Sequence, residues 1–330
     1  MSPDYTFWNK IRDKKRGTSE PFFVLAPMAD VTDAAFRRMF AKYGKPDVTW
    51  TEFVSADGLS SAGREILKRD LEYTEAERPI MAQLFSSTPA HMASAVTLCR
   101  ELGFDGVDIN MGCPDKSIEK QGSGAAHIKD LENARAVYEA ALIAGAGMPI
   151  TIKTRIGYNK VEIDTWIRGL LELSLPALTV HLRTRKELSQ VDAHWDLMPS
   201  IVELAREVSP ETLIIGNGDI KNLTDGIEKV KTAGCDGGMI GRGVFGNPFA
   251  FNKDIDFNTF TLSKRFEILL EHTRLYEELL GDIKSFSIMK KHYKAYVNGF
   301  DGAKELRMEL MDAKNSREIE HILNKFILSL

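Results

Sequence analysis

Eight short apolar segments recur along the first three-quarters of the sequence, and they limit the possible folds more than any other feature. Each is four to six residues long, rich in Val, Ile, Leu or Thr, and lacks strict alternation of apolar and polar residues. Such segments are typical of parallel strands that are buried on both faces. Successive segments begin 24 to 43 residues apart, which suits repeated strand–helix units. They begin at Phe22, Val48, Pro79, Gly106, Pro149, Ala177, Thr212 and Asp236.

Amphipathic segments with helical spacing lie between most of these predicted strands, at residues 91–102, 132–143, 165–173 and 223–232. Eight strand–helix units favour an α/β fold in which the strands close into a (β/α)8 TIM barrel. The alternative is a doubly wound open sheet, which usually carries a GxGxxG turn after its first strand. Here that strand is followed by Ala26-Pro27-Met28-Ala29, so we expect the barrel.

The pattern changes near Thr261, where strand-like segments stop and longer helical segments begin. Four helices joined by short loops predict a small all-helical bundle at the carboxyl end of the sequence. These helices are predicted at residues 262–280, 287–297, 303–312 and 318–330. We therefore predict an N-terminal extension at residues 1–21, a barrel at 22–258 and a helical domain at 259–330.

The composition excludes several classes of protein. Forty-three Lys and Arg against 47 Asp and Glu leave a net charge of −4, so no overall basic field indicates a nucleic-acid partner, although a local patch would suffice. Three separated cysteines, Cys99, Cys113 and Cys235, rule out a disulfide framework and a four-cysteine zinc site. No apolar run approaches the roughly 20 residues that span a bilayer, and the polar start does not resemble a signal peptide. We expect a cytoplasmic monomer with no metal and no membrane partner.

Two glycine-rich loops follow the last two predicted strands, where the chemistry of such barrels takes place. Gly216-Asn217-Gly218-Asp219 follows the seventh strand and Gly241-Arg242-Gly243 follows the eighth. Glycine permits positive φ and close approach of the backbone, which exposes N–H groups to an anion. Either motif alone is equally consistent with a tight turn. Both motifs at these two strands predict a phosphate site, with Arg242 adding a charge-assisted contact.

Three further strand ends carry candidate groups. Lys153, after the fifth strand, is either a solvated cap or a fixed cation near an electron-rich ring or carbonyl. His181, after the sixth, is a hydrogen-bonded core residue, a general acid or a partner for a ring nitrogen. Cys113 follows the fourth strand, in Asn110-Met111-Gly112-Cys113-Pro114. A lone cysteine is more often a small buried apolar residue, but its place in a strand-end loop favours a chemical role.

Two more segments have both a functional and a plain interpretation. Residues 120–126 are polar and Gly-rich, and predict either a lid over the site or a surface loop. Residues 284–297 hold four lysines and one histidine, with Tyr293 and Tyr296 between them and no acidic residue. Basic side chains with aromatic rings can bind a phosphate backbone, and a solvated helix face is the alternative.

Several short motifs follow one another at these strand ends and in the tail. They are Ala26-Pro27-Met28-Ala29, Val31-Thr32-Asp33, Phe36-Arg37, Gln83-Leu84-Phe85, Asp108-Ile109-Asn110-Met111-Gly112-Cys113-Pro114, Gly122-Ser123-Gly124-Ala125, Lys153-Thr154-Arg155-Ile156-Gly157, Val180-His181, Arg183-Thr184-Arg185, Gly216-Asn217-Gly218-Asp219, Gly241-Arg242-Gly243 and Met289-Lys290-Lys291-His292, with Tyr296 and Leu306-Arg307. In this order they resemble the tRNA-dihydrouridine synthase family. The resemblance extends from about Phe22 to Phe326, and the set of motifs is far more specific than any one of them.

The resemblance implies a flavin mononucleotide (FMN) barrel with a helical tRNA-binding domain. Such an enzyme reduces the C5–C6 double bond of a uridine in tRNA to 5,6-dihydrouridine, and NADPH or NADH reduces the flavin. Cys113 matches the family's catalytic cysteine, which would give a proton to C5 while hydride reaches C6. The resemblance implies cofactor contacts at Pro27, Met28, Ala29, Gln83, Lys153, His181, Asn217, Gly218, Asp219, Gly241 and Arg242. It implies substrate contacts at Asn110, Arg183, Arg185, Lys290, Lys291 and His292.

Two other functions stay open on the sequence. An FMN barrel oxidoreductase acting on a small molecule, such as a dihydropyrimidine, would share the flavin residues but would give no role to the basic, aromatic tail. An RNA-binding module without catalytic activity is disfavoured because Cys113 and Lys153 are both present.

Overall fold

The structure is a computed structural model that describes residues 3–16 and 20–329. Residues 1–2 and 17–19 of the predicted extension, and the last residue of the predicted final helix, lie outside the described residues.

Parallel strands form the centre of the fold. The strands are β1 (Phe22–Leu25), β2 (Thr49–Ser55), β3 (Ile80–Phe85), β4 (Gly106–Met111), β5 (Ile150–Arg155), β6 (Ala177–His181), β7 (Leu213–Asn217) and β8 (Gly237–Ile240). They pair in the order β1-β8-β7-β6-β5-β4-β3-β2. A parallel bridge between Val24 and Val48, with a 3.2 Å hydrogen bond from Leu25 N to Val48 O, joins β1 to the residue before β2. The ring of strands therefore closes, and the predicted barrel is confirmed.

Helices follow the strands around the barrel and then form the carboxyl-terminal part. The helices are α1 (Thr6–Arg16), α2 (Ala34–Tyr43), α3 (Ala56–Leu59), α4 (Arg64–Lys68), α5 (Pro89–Glu101), α6 (Lys116–Glu119), α7 (Leu131–Gly145), α8 (Arg168–Leu171), α9 (Met198–Val208), α10 (Leu223–Ala233), α11 (Leu262–Leu280), α12 (Lys290–Tyr296), α13 (Ala303–Asp312) and α14 (Ser316–Leu328). Every strand begins within one residue of its predicted start, because buried apolar runs bounded by polar turns mark strands well. None of the helices in the described ranges is long and apolar enough to cross a membrane.

Helix α1 closes the amino-terminal end of the barrel. Its Trp8 is fully buried, and the ring lies 6.0 Å from those of Phe22 and Trp50. Buried residues of β1, β2, β3, β6, β7 and β8 complete this cluster. Among the described residues, α1 therefore covers the amino-terminal end of the barrel, opposite the end at which the strands finish.

Helices α11 to α14 share a second apolar core, to which α2 of the barrel contributes Ala35 and Met39. Polar contacts also link the two parts, since Lys42 and Tyr43 both bond to the carboxylate of Glu271. The domain boundaries at residues 21 and 258 stay a prediction. These contacts pack the helical part along α2, the helix that connects β1 to β2.

Candidate cofactor and active site

A cleft of about 330 Å³ opens at the carboxyl ends of the strands, within the range typical of ligand sites. Its walls come from the loops after β1, β4, β5, β6, β7 and β8. Residues lining it include Pro27, Met28, Pro114, Lys153, Arg155, His181, Arg183, Asn217, Gly218, Asp219, Gly241 and Arg242. Most of the predicted cofactor residues therefore meet in one cleft, although Ala29 is exposed outside this lining.

The cleft is strongly electropositive. Lys153, Arg155, Arg183 and Arg242 line it, and Asp219 is the one carboxylate among the described lining residues. Burial, and then the charge of these four cations, place the pKa of His181 well below its ordinary value. An uncharged imidazole among four cations indicates a site for an anionic ligand.

The loops after β7 and β8 form a cradle of backbone N–H groups. Gly218 has φ +130°, and a side chain there would lie 2.7 Å from Cβ of Ala193, so only glycine fits. No hydrogen bond joins the N–H groups of Gly218, Asp219 or Arg242 to another described residue. Unpaired N–H groups on a glycine turn beside an arginine fit a phosphate group.

Asp219 organises the arginines at this end of the cleft. Its carboxylate pairs with Arg183 and, at 3.0 Å, with Arg242, and it accepts the N–H of Ala193 at 2.9 Å. Burial raises the pKa of Asp219, but these donors more than offset it and leave the pKa below its ordinary value. What the geometry shows for the Asp219 carboxylate is that it holds the two guanidinium groups in place.

Lys153 supplies a cation from the interior of the barrel. Burial is the main cause that lowers its pKa to about 8, and the nearby Arg155 lowers it further. Asp108 acts in the opposite direction. The amine therefore keeps most of its charge at neutral pH and can stabilise negative charge on a ring or carbonyl in the cleft.

Residues 24–329 match the family described as Dihydrouridine synthase (Dus). The chain belongs to the dihydrouridine synthase family. The protein described as probable tRNA-dihydrouridine synthase 2 of Bacillus subtilis (strain 168) is 38% identical over 326 residues, covering 97% of this chain and 96% of that protein. The probable tRNA-dihydrouridine synthase of Staphylococcus aureus (strain MRSA252) is 36% identical, over 97% of this chain and 95% of that protein.

A solved structure of 6-hydroxypseudooxynicotine amine oxidase (HisD) from Pseudomonas geniculata N1 also matches, with a TM-score of 0.53 and 11% identity. The match covers 79% of this chain and 53% of that chain, and at this identity it is a similarity of fold alone.

Cys113, the predicted catalytic residue of this synthase-family chain, lies half-buried in the loop after β4, next to the cleft residue Pro114. Burial, the largest cause, raises the pKa of its thiol above the ordinary value. The thiol therefore stays protonated at neutral pH, which suits a proton donor and not a nucleophile.

The loop that carries Cys113 is held on both sides. Asn110 Oδ1 accepts the N–H groups of Gly112 at 3.1 Å and Cys113 at 2.9 Å. Arg155 Nε donates to the carbonyl of Gly112 at 2.8 Å, and the N–H of Ala125 donates to the carbonyl of Cys113 at 2.9 Å. The thiol is thus presented by a fixed backbone.

The predicted lid at residues 120–126 is wrong in its second half. Ser123 to Ile128 are buried, and a short 3-10 helix at Gly124–Lys129 packs behind the Cys113 loop. Gly124 has φ +62°, and a side chain there would lie 2.7 Å from the carbonyl oxygen of Cys113. The glycine therefore supports the active-site loop by close packing and does not act as a hinge.

Gln83 and Asn110 do not line the cleft. Gln83 is fully buried, its Nε2 donates to Asp108 at 2.6 Å, and its Oε1 accepts from Asn110 Nδ2 at 3.1 Å. The cofactor contact of Gln83 and the substrate contact of Asn110 stay predictions. In the structure Asn110 bonds directly to the Cys113 loop, and Gln83 bonds to Asn110.

The two arginines predicted to face RNA are engaged within the fold. Arg183 is buried, donates to the carbonyl of Val191, pairs with Asp219 and lines the cleft, so its predicted contact with the substrate stays a prediction. Arg185 pairs with the nearly buried Glu119 and lies over the ring of Tyr158. The sequence alone does not show which carboxylates pair with these two arginines.

The basic tail divides into three environments. His292 is buried against the rings of Phe36 and His272, so its predicted position on an RNA-facing surface is wrong. Lys284, part of the same basic run, is also drawn inward, to within 2.7 Å of Glu52. Lys290 and Lys291 retain exposure, and Lys291 Nζ lies 3.9 Å from Asp30 in the loop after β1. This contact places the start of α12 at the rim of the barrel's carboxyl end.

Sequence reasoning missed Arg155 and Asp108 as functional candidates. Both occur in motifs at strand ends, but single-sequence patterns do not distinguish a structural charge from a functional one. Arg155 lines the cleft and holds the Cys113 loop, and burial lowers its pKa to about 10. A basic residue at the last position of a parallel barrel strand was the available signal.

Proposed function

We propose that this protein reduces a uridine of tRNA to 5,6-dihydrouridine, with FMN as its redox cofactor and NADPH as the reductant. The observation that carries the proposal is a half-buried, rigidly held cysteine next to an electropositive cleft that also contains the glycine turn at Gly218 and the guanidinium of Arg242. Family membership and the similarity to proteins described as probable tRNA-dihydrouridine synthases support the same activity.

The residues of the cleft have distinct tasks in this proposal. Gly218 and Arg242 would hold the phosphate of FMN, with Asp219 fixing the guanidinium, and Met28 and Pro27 would provide apolar contact for the ring. Lys153 would hold positive charge beside the ring. When bound, FMN supplies hydride chemistry to the pyrimidine C6.

Cys113 would complete the reduction. Hydride addition at C6 leaves an electron pair at C5, and the Cys113 thiol would give its proton to C5, forming the C–H bond and leaving a thiolate. The thiolate then regains a proton from water. A raised thiol pKa favours this cycle, because the acid is present before each turnover.

The test is a visible absorption spectrum of the purified protein, followed anaerobically by NADPH and then by an unmodified tRNA transcript. We expect flavin bands that bleach with NADPH and return with tRNA, and a tRNA that has gained two hydrogen atoms at one or more uridines. Bleaching that is reversed by a small pyrimidine but not by tRNA would identify a small-molecule oxidoreductase. Absence of flavin bands even after FMN is added would overturn the proposal.

A further inference from the structure

Three buried side chains form a continuous hydrogen-bonded row from the barrel interior to the Cys113 loop. We call Asp108, Gln83 and Asn110 the amide relay. Gln83 Nε2 donates to Asp108 Oδ2 at 2.6 Å, and Asn110 Nδ2 donates to Gln83 Oε1 at 3.1 Å. Asn110 Oδ1 then accepts from the N–H groups of Gly112 and Cys113. Asp108 and Gln83 are fully buried and Asn110 is nearly so, which leaves the row shielded from water.

The direction of the amide relay is set at its inner end. An ionised carboxylate can only accept hydrogen bonds, and Asp108 accepts from Gln83 and from Thr151 Oγ1 at 2.6 Å. Burial raises the pKa of Asp108 to about 6, so it remains ionised above neutral pH. Gln83 must therefore turn its NH2 group inward and its oxygen outward, and Asn110 must do the same.

We propose that Asp108 is a positioning residue for Cys113, which it orients through Gln83 and Asn110 by fixing which end of each amide faces the loop. With both amides reversed, the NH2 group of Asn110 would meet the N–H groups of Gly112 and Cys113, donor against donor. The loop would lose these two hydrogen bonds while Arg155 and Ala125 still hold its carbonyls. The inference rests on the proposed function only in that Cys113 is the proton donor.

The experiment uses the reactivity of Cys113 with iodoacetamide in the FMN-loaded protein at pH 8. Cys99 and Cys235 are buried and their thiol pKa values are raised to about 12, so Cys113 is the thiol that reacts. Asp108→Asn replaces an obligatory acceptor by an amide that can either donate or accept, so the orientation of Gln83 and Asn110 is no longer fixed and the reversed relay becomes accessible. We expect alkylation of Cys113 to become roughly tenfold faster as the loop loosens, and kcat for tRNA to fall by at least as much with little change in KM.

A reciprocal exchange provides the rescue. In Asp108→Asn/Gln83→Glu the new amide at position 108 donates to the new carboxylate at position 83, which again accepts from Asn110. The number of acidic groups is unchanged and the outward direction of the relay is restored. We expect the alkylation rate to return to within about twofold of the wild-type rate. Gln83→Glu alone places two carboxylates side by side, so its alkylation rate should differ strongly from the wild-type rate.

Asp105→Asn is the matched control, because Asp105 lies just before the same strand β4 and makes ordinary hydrogen bonds at the closed end of the barrel. It should leave the alkylation rate unchanged. An alkylation rate in Asp108→Asn within twofold of wild type would overturn the proposal. The proposal would also be overturned if the alkylation rate of the double variant differed from wild type as much as that of Gln83→Glu alone. This comparison can be made even if Asp108→Asn does not fold. Alkylation needs no tRNA, so the two proposals can fail separately. If the double variant recovers the wild-type alkylation rate but the wild-type protein does not reduce tRNA, the relay stands and the proposed function is rejected.

Discussion

Burial shifts the pKa values of Cys113, beside the cleft, and Lys153, within it, in opposite directions. It raises the pKa of Cys113, which keeps the thiol neutral, and it lowers the pKa of Lys153 to about 8, so the amine is mostly charged at pH 7 and loses its charge just above neutral pH. Desolvation disfavours whichever form is charged, so one environment produces a neutral acid beside a readily titrated cation. Both states suit a site in which negative charge develops and is then protonated.

Cys113→Ala should separate the two halves of the proposed reaction. The variant should retain FMN and be bleached by NADPH at the wild-type rate, since the thiol has no part in either step. Dihydrouridine formation should fall by roughly 10²- to 10⁴-fold, the usual contribution of a positioned acid. The measurement is single-turnover oxidation of the reduced protein by tRNA, and a wild-type rate there would remove the cysteine from the mechanism.

Lys153 should make FMN binding dependent on pH. A bound anion favours the protonated amine, so affinity should be level below the free-protein pKa of about 8 and should fall as pH rises through it. Lys153→Met should bind FMN roughly 10- to 100-fold more weakly at pH 7 and show no such fall. Fluorescence titration of FMN from pH 6.5 to 9.5 measures both, and parallel curves for the two proteins would contradict the assignment.

At the scale of elements, helix α1 acts as a plug for the barrel. The predicted extension at residues 1–21 had no assigned role, yet Trp8 within it is among the largest fully buried side chains of the described residues. A TIM barrel fills its interior with layers of side chains, and here a segment from outside the strand–helix units completes the bottom layer.

Trp8→Ala should therefore destabilise the barrel itself. Removing a buried tryptophan leaves a cavity and typically costs about 3–5 kcal/mol. Urea unfolding should show that loss, while Lys10→Ala on the exposed side of the same helix should change the free energy of unfolding by less than about 0.5 kcal/mol. Equal stabilities of the two variants would mean that α1 does not contribute to the barrel core.

Helix α2 begins with a carboxylate in an unfavourable setting. Asp33 Oδ1 caps the helix by accepting the N–H of Phe36 at 2.9 Å, but Oδ2 is buried and has no hydrogen-bond partner among the described residues. Burial and then the nearby Glu52 raise the pKa of Asp33 to about 7. Since this pKa exceeds the unfolded value, stability from Asp33 is fully present below the unfolded pKa and is lost as pH rises through about 7.

Asp33→Asn should keep the cap and remove the buried charge. At pH 8 we expect the variant to be more stable than wild type, by up to about 4 kcal/mol, and the difference should shrink as pH falls to 5. Thermal unfolding at the two pH values checks this. If the Tm difference between the variant and wild type is the same at pH 5 and pH 8, ionisation of Asp33 does not destabilise the folded protein.

On the scale of the whole molecule, two basic regions have different tasks. The arginines and lysine of the cleft line the proposed cofactor site. Lys284 pairs with Glu52 at 2.7 Å and Asp70 at 2.9 Å, joining the helical part to the barrel. Lys290 and Lys291 are left near the rim of the cleft. For a protein with a net charge of −4, affinity for RNA must come from such a local patch.

Lys290→Glu/Lys291→Glu should raise KM for tRNA by tenfold or more and reduce the salt dependence of binding, with kcat and the flavin spectrum unchanged. Lys304→Glu/Lys314→Glu makes the same charge change at exposed positions elsewhere in the helical part and serves as the control. Steady-state kinetics at two salt concentrations would reveal the difference. Equal effects of the two pairs would reject a specific RNA surface at α12.

The sequence by itself determined the barrel and the location of the two glycine turns after β7 and β8. Buried parallel strands carry a local signature, and the turns at Gly218 and Gly241 depend on residues that are adjacent in the chain. The helices of the tail were predictable for the same reason, since α11 and α13 have the predicted bounds.

Only the tertiary structure decided which polar side chains are free to meet a ligand. Lys284 and Glu52 are 232 residues apart, Arg183 and Asp219 are 36 apart, and His292 is covered by the ring of Phe36 from a distant helix. The amide relay likewise joins β3 to β4. A side chain's charge state and availability depend on partners brought together by folding, because electrostatic and packing energies depend on distance in space and not on separation along the chain.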